Sequence, residues 1–326
     1  MYGSLIIDLT RIITEITRKE RGDRDQTYLN QFTTKGVMER LVSLADELDP
    51  LQVGIIAAQR SKLLKAGVPV APGFVLTPQF FKQLLVEQNL HEHFFTTVKS
   101  AKDIQEIHAF INQLKISEDI EDEVLTACEP FKGSVAITTS SVFDDAVFAV
   151  HNIPQQQVMD RVKSCWASLF HESRKGWLNR KTLFPSLIFQ KDVEVVKSGV
   201  LYTHNPVNKA ASRIVVEIQH PGQMSFAIRR EDGEVVGLKG EATHAPLSET
   251  ERKELITIAK QVEKAFKVPQ KVDWIKGDEL YVLESRDITE EDARYFFSQS
   301  TSSGSSENSS ESLPANTASC LKMFDK

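Results

Sequence analysis

Apolar residues recur along this chain at two periods, and the switch from one to the other sets its organisation. Leu5, Leu9, Ile12 and Ile16 fall on one helical face, interrupted by acidic Asp8 and Glu15. After the polar stretch RGDRDQTYLN, a second helical pattern places Val37, Leu41, Leu44 and Leu48 together. These patterns predict a helical extension over residues 1–52, acting either as a docking or dimerisation element or as a helical cap on the core of the later residues. From Gly54, GIIAAQRSKLLKAGVPVAPGFVLT reads as a short loop, a helix ending near Ala66, a glycine stop at Gly67 and a strand led in by prolines. Further helices are predicted over Pro78 to Gln88, Ala101 to Leu114 and Glu118 to Cys128.

The period then shortens to two. SVAITTSS, VFAVHN, SLIFQKDVEV, SGVLYTHNP and SRIVVEIQ read as strands, and SFAIRREDGEVVGLKG as a hairpin around Asp-Gly. A long helical stretch, QQQVMDRVKSCWASLFHESRKGWLNR, lies among them, and another helix spans Ser248 to Phe266. Helices in blocks followed by mostly antiparallel strands predict an α+β architecture. Beyond about Arg294 the chain becomes Ser-rich and almost free of apolar residues, so residues 291–326 read as a disordered tail.

The last predicted hairpin, VDWIKGDELYVLESRDIT, carries two carboxylates and an arginine. With an even loop centred on Gly277 and Asp278, Asp273 faces Val282 and Lys271 faces Glu284. Val272, Trp274, Tyr281 and Leu283 then share the core face. Ile275, Leu280 and Val282 floor the other face, where Lys271, Asp273, Glu284 and Arg286 cluster. In that register Asp273 and Glu284 are diagonal neighbours, able to share a hard cation such as Mg²⁺, with Arg286 beside them for phosphate oxygens. An ordinary charge-paired strand surface, with a Lys271–Glu284 pair, fits the same residues.

Charge and cysteine content narrow the class. A net charge of −6 over 326 residues argues against a general nucleic-acid surface. Cys128, Cys165 and Cys320 lack metal-ligand spacing, and the first two read as small buried hydrophobes in a reducing, cytoplasmic setting. No stretch approaches the roughly 20 apolar residues of a membrane-spanning helix.

Several segments, in order, resemble the N-terminal ATP-binding domain of the phosphoenolpyruvate synthase and pyruvate phosphate dikinase family. They are KAGVPVAPGFVLT, CWASLF, IFQKDVEVVKSGVLYTHNPV and PQKVDWIKGDELYVLESRDIT. The resemblance covers Gly54 to Thr289 and implies a two-lobed ATP-grasp fold over residues 53–290, with Mg²⁺ and ATP bound between the lobes. It puts Asp273 at a metal-binding glutamate, Glu284 at a metal-binding glutamine and Arg286 at the arginine that contacts and stabilises phosphate. It also puts Glu217 in the nucleotide pocket, and Gln190 with the backbone of Lys191 and Val193 along the adenine.

The same resemblance exposes departures. The family's phosphate-binding lysine is Ile56 here, and the arginine of its Val-Arg-Ser-Ser strand is Thr138. SVFDDAVFAVH has Asp144 and Asp145 but no loop glycine, HPGQ keeps only Gly222 and Gln223 of a longer motif, and Lys271 replaces an aspartate. Two lost phosphate cations would remove about 3–6 kcal/mol, or roughly two to four decades in affinity or rate. Lys132, Lys191, Lys197, Arg229 and Arg230 are the candidate replacements.

The family's phosphohistidine and pyruvate-binding segments have no counterpart in this sequence, so a separate phosphohistidine-domain protein is the implied partner. The sequence therefore supports two functions: a Mg-ATP-dependent phosphotransferase half-reaction, or a catalytically inactive pseudo-kinase that keeps the fold as a regulatory scaffold. A third, an antibiotic-modifying phosphotransferase, has no substrate signal in the chain.

Overall fold

The computed structural model describes residues 40–100, 103–141, 148–168, 170, 186–208, 211–220, 224–239 and 247–301. All of them belong to Arg40–Lys326, one of two units into which the chain divides. The architecture is α+β, as the patterning predicts: two antiparallel sheets, each with its own core.

The first sheet has strand order β1-β2-β5-β3-β4, with β1 Leu41–Ser43, β2 Gly73–Leu76, β3 Val135–Ser140, β4 Ala149–Ile153 and β5 Ser186–Lys191. Alternation splits its side chains cleanly. Phe74, Leu76, Val135, Ile137, Leu187 and Phe189 enter one core with helices α3 Pro78–Glu87, α4 His91–Ser100, α5 Ile104–Gln113, α6 Glu118–Cys128 and α7 Val158–Ser168. Phe74 stacks on Phe189 with ring centroids 4.8 Å apart. Cys128 and Cys165 are buried in this core, and burial pushes both thiols up to about 12, so they behave as apolar filler.

The opposite face carries Val75 and Ile188, which meet Val53 of α1 Pro50–Val53 and Ile56 and Ala57 of α2 Ile55–Lys65. The N-terminus of α2 is pinned to β3: Ile55 N–H donates to Ser141 O (2.9 Å) and Ala57 N–H to Ser140 Oγ (3.1 Å). That approach requires Gly54, whose φ is +83° and where a Cβ would lie 2.4 Å from Ser140 Oγ.

The second sheet runs β11-β10-β6-β7-β8-β9, with β6 Lys197–Tyr202, β7 Arg213–His220, β8 Met224–Arg229, β9 Val235–Lys239, β10 Gln270–Lys276 and β11 Leu280–Asp287. Leu201, Ile214, Val216, Val272, Trp274 and Val282 face α8 Glu249–Phe266, which contributes Leu255, Ile258, Ala259 and Val262. A capping box between Ser248 and Glu251 starts α8. Leu63 of α2 also enters this second core, so α2 touches both sheets.

Three expectations change. Leu41–Ser43 is a strand paired with β2, not part of a helix, and Leu44 is buried beside Val75 and Ile188. A helix-like spacing of leucines was outcompeted by an available sheet edge, so residues 40–52 belong to the folded body. His91–Ser100 forms a helix that the apolar spacing did not predict. Helix α9, Glu290–Thr301, occupies the start of the segment expected to be disordered. The extension before Arg40, the expected continuation of the long helix over residues 171–180, Asp144, Asp145, Gly222, Gln223, Cys320 and the tail from residue 302 lie outside the described residues.

Candidate functional site

The hairpin register differs from the even-loop expectation in a way that strengthens the acidic pair. Lys276 pairs with Leu280, Ile275 with Tyr281 and Trp274 with Val282; the ladder then shifts, and Asp273 pairs with Glu284. Leu283 is the extra residue of a β-bulge. Leu280 and Val282 consequently join Val272 and Trp274 in the core, while Tyr281 and Leu283 turn to the other face with Ile275. Lys271 pairs with Arg286 rather than with Glu284.

Following the ladders across the sheet gives two adjacent rows on the face away from α8. One row reads Glu217, Val200, Asp273, Glu284 across β7, β6, β10 and β11. The next reads Val215, Tyr202, Lys271, Arg286. Three carboxylates thus lie in one row and two cations in its neighbour. Neither sequence separation nor composition dictates this; strand pairing does.

The charges respond to one another. Burial and the neighbouring Glu284 carboxylate push Asp273 up to about 6, against the pull of Lys271 and Arg286. Burial likewise raises Glu217 to about 7, with Lys271 and a 3.4 Å hydrogen bond from the Tyr202 hydroxyl opposing it. A divalent cation placed between the facing carboxylates would relieve the penalty on ionised Asp273. Oxygen donors from only two side chains suit Mg²⁺, which keeps water and phosphate oxygens as its remaining ligands. Among the described residues no group of three or more His, Cys, Asp or Glu side chains is arranged to hold a metal by itself.

Helix α9 caps the cationic row. Its Asp292 receives Arg286 through two bonds of 2.9 Å and Lys271 at 3.4 Å. Thr289 donates to the same carboxylate from its N–H (2.9 Å) and hydroxyl (2.8 Å), closing a reciprocal cap with the Asp292 N–H. Burial opposes ionisation of Asp292, but the Arg286 fork and the Thr289 donors outweigh it and hold the carboxyl at about 2. Tyr295 and Ile288 pack on Val200, Tyr202 and Val215 alongside.

The predicted adenine segment lies where the sheets connect. Gln190 is buried on β5 and its amide is committed: Oε1 accepts from Arg60 Nη1, and Nε2 donates to Ala71 O (2.6 Å). Lys191 N–H bonds Pro72 O (3.0 Å) and Val193 N–H bonds the Asp192 carboxylate (3.0 Å). Val193 and Val195 pack with Ala71, Ile275, Tyr281 and Leu283 in a small apolar cluster. Gly277 lets the hairpin turn close on this strand connection, since a Cβ there would sit 2.6 Å from Glu194 O. The structure therefore unites Asp273, Glu284, Glu217 and Arg286 on one sheet face and places Gln190, Lys191 and Val193 at the connection beside it.

The two positions where the resemblance expects phosphate-binding cations are apolar or neutral in place as well as in type. Ile56 is buried against Val75 and Ile188, and Thr138 is buried on β3. Of the candidate replacement cations, Lys197 pairs with Glu251 (2.7 Å), Arg229 with Asp232 (2.7 Å), and Arg230 with Glu263. The sequence patterns did not single out Arg60. Its Nε donates to Leu283 O (3.1 Å), and its Nη1 reaches Thr138 Oγ1 (3.5 Å) and Gln190 Oε1. A signal existed: Arg60 is a charged residue at a core position, four after buried Ile56 and three before buried Leu63.

Comparison with known proteins matches residues 52–224 to the family described as "Pyruvate phosphate dikinase, AMP/ATP-binding domain". A probable phosphoenolpyruvate synthase of Archaeoglobus fulgidus is 26% identical over 75% of this chain and 40% of its own length. One from Methanothermobacter thermautotrophicus is 25% identical over 77% and 46%. A rifampicin phosphotransferase of Streptomyces sviceus is 20% identical over 78% and 36%. The chain thus spans less than half the length of these relatives. Among solved structures, the ADP complex of N5-carboxyaminoimidazole ribonucleotide synthetase aligns with 74% of this chain and 47% of its own, at 12% identity and a TM-score of 0.40. Among the described residues no helix is long and apolar enough to cross a membrane. With more than half of its residues inside the matched family, this chain is a diverged member of the pyruvate phosphate dikinase AMP/ATP-binding domain family.

Proposed function

We propose that this domain binds Mg-ATP at the seam of its two sheets and carries out the nucleotide-dependent half of a phosphoryl transfer. The observation that carries the reading is the direct pairing of Asp273 with Glu284, in one row with Glu217 and next to Lys271 and Arg286. Asp273 and Glu284 would hold the magnesium ion, which when bound neutralises charge on the phosphate oxygens. Arg286, with Lys271 beside it, stabilises charge on the transferred group. Glu217 borders the nucleotide pocket, and the apolar cluster of Ala71, Ile275, Tyr281 and Val193 supplies a surface against which a base can stack. A separate phosphohistidine-domain protein is the acceptor most consistent with the resemblance.

A second reading, an inactive scaffold, has its own observation. Asp292 already pairs with both Lys271 and Arg286, so each cation has a carboxylate partner without a phosphate. Isothermal titration of ATP with Mg²⁺ distinguishes the two. The wild type is expected to bind ATP in a Mg²⁺-dependent manner, and the variant Asp273→Ala with Glu284→Ala to lose at least about 100-fold in affinity, the scale of two charge-assisted contacts. Equal absence of binding in both leaves the scaffold. Release of AMP and phosphate, alone and with a histidine-domain protein, then reports turnover.

A further inference from the structure

Arg60 is a buried cation with no ion-pair partner among the described residues. It is 7% exposed, yet among the described residues no carboxylate lies within ion-pair distance of its guanidinium. Its acceptors are all neutral: the Leu283 carbonyl, the Thr138 hydroxyl and the Gln190 amide oxygen. Buried charges are ordinarily paired, because neutral acceptors recover only part of the hydration lost. A purely structural strut between the sheets does not need a charge, and an apolar residue of similar volume serves as well or better. Burial lowers the Arg60 pKa to about 10, with Glu284 opposing, so the group stays cationic at neutral pH.

Its position says which anion. Thr138 belongs to the first sheet, while Leu283 is the bulge residue immediately before Glu284 in the second. Nε and Nη1 are used, but Nη2 donates to no acceptor among the described residues. Arg60 lies one helical turn after Ile56, and its guanidinium rests on Thr138 itself. Those are the two positions where the resemblance expects phosphate-binding cations. A charge absent from the start of α2 and from β3 is thus supplied to the same seam from farther along α2.

We infer that Arg60 is a phosphate-binding residue of this domain, offering Nη2 to the polyphosphate chain of the nucleotide next to the ion held by Asp273 and Glu284. The fixed fork, anchored at two nitrogens by three neutral acceptors, presents its charge without further ordering cost. This rests on the Mg-ATP reading above.

The test is isothermal titration of the full chain with ATP, AMP and adenosine in Mg²⁺, for wild type, Arg60→Gln, and Arg60→Leu combined with Thr138→Arg. The glutamine variant is expected to lose about 10- to 100-fold in ATP affinity, less for AMP and nothing for adenosine. The double variant, which returns a guanidinium to the same seat from β3, is expected to recover ATP binding to within about fivefold of wild type. Thermal unfolding reports whether each variant is folded. Wild-type binding of ATP with an unchanged glutamine variant overturns the role of Arg60 alone, as does an equal loss for ATP and adenosine. Absence of ATP binding by the wild type overturns the nucleotide reading and this inference together. Should the glutamine variant not fold, the double variant decides: folded without ATP affinity, it removes the role.

Discussion

On the α9 side of the second sheet, Lys271 and Arg286 share one carboxylate, Asp292, while at the seam between the sheets the acceptors of Arg60 among the described residues are all neutral. The first arrangement is self-sufficient. It is built from a helix cap, a bidentate arginine fork and an apolar cover of Tyr295 and Ile288, and it contributes to stability as it stands. The second carries a desolvation cost that its neutral acceptors and the nearby Glu284 carboxylate offset only in part. Two neighbouring carboxylates, Asp273 and Glu217, carry the corresponding cost of opposite sign. On the proposed reading, fold stability and ligand binding fall to different charges within one site: the paired ones hold α9, and the less compensated ones would meet a ligand of mixed sign, as a metal-polyphosphate is.

Mutations should separate the two kinds of charge. The largest stability effect is expected for Asp292→Ala, which strands two partly buried cations and removes the reciprocal cap of α9. A loss of about 3 kcal/mol in chemical denaturation is expected. The carboxyl of Asp292 is depressed, so its contribution is present above about pH 4 and is lost as pH falls toward 2. A loss under about 0.5 kcal/mol would mean the pair is a solvated surface contact.

Glu217→Gln should act in the other direction. A raised carboxyl means that the native state holds more protons than the unfolded chain between about pH 4.5 and 7. Wild-type stability should accordingly fall as pH rises through that window. In metal-free buffer the glutamine variant should gain on the order of 2 kcal/mol over wild type at pH 8 and almost nothing at pH 4, after allowing for partial solvent access. Parallel pH profiles for the two proteins would show that Glu217 is ordinarily hydrated.

The smallest stability change belongs to Arg60→Met. Loss of three bonds to neutral acceptors is offset by relief of a buried charge, and denaturation should place the variant within about 1.5 kcal/mol of wild type. A cost as large as that of Asp292→Ala would erase the distinction between the two regions.

Much of the fold was legible because local signals agreed with tertiary needs. Glu118–Cys128 and Glu249–Phe266 combine apolar faces with acidic first turns, β3 and β7 are rich in β-branched residues, and β5 carries the buried apolar run Leu187, Ile188 and Phe189. Leu41, Leu44 and Leu48 misled because the same spacing serves a short edge strand followed by a turn. Helix α9 was hidden by the serines that come after it. The acidic pair was legible in identity but not in geometry: no turn residue announces the bulge at Leu283 that brings Asp273 and Glu284 opposite one another. Arg60 was legible only as a charge at a core position of its helix; its role at the site was not, because its partners lie 78, 130 and 223 positions away in the chain.

The central claim is that Asp273 and Glu284 hold one ion together. Electron paramagnetic resonance of Mn²⁺ titrated into the full chain with ATP, compared among wild type, Asp273→Asn and Glu284→Gln, addresses it directly. Stoichiometric bound Mn²⁺ in the wild type, dependent on ATP and weakened at least about tenfold by either substitution, is the predicted result. Mn²⁺ and ATP bound equally well by all three proteins would contradict the shared site.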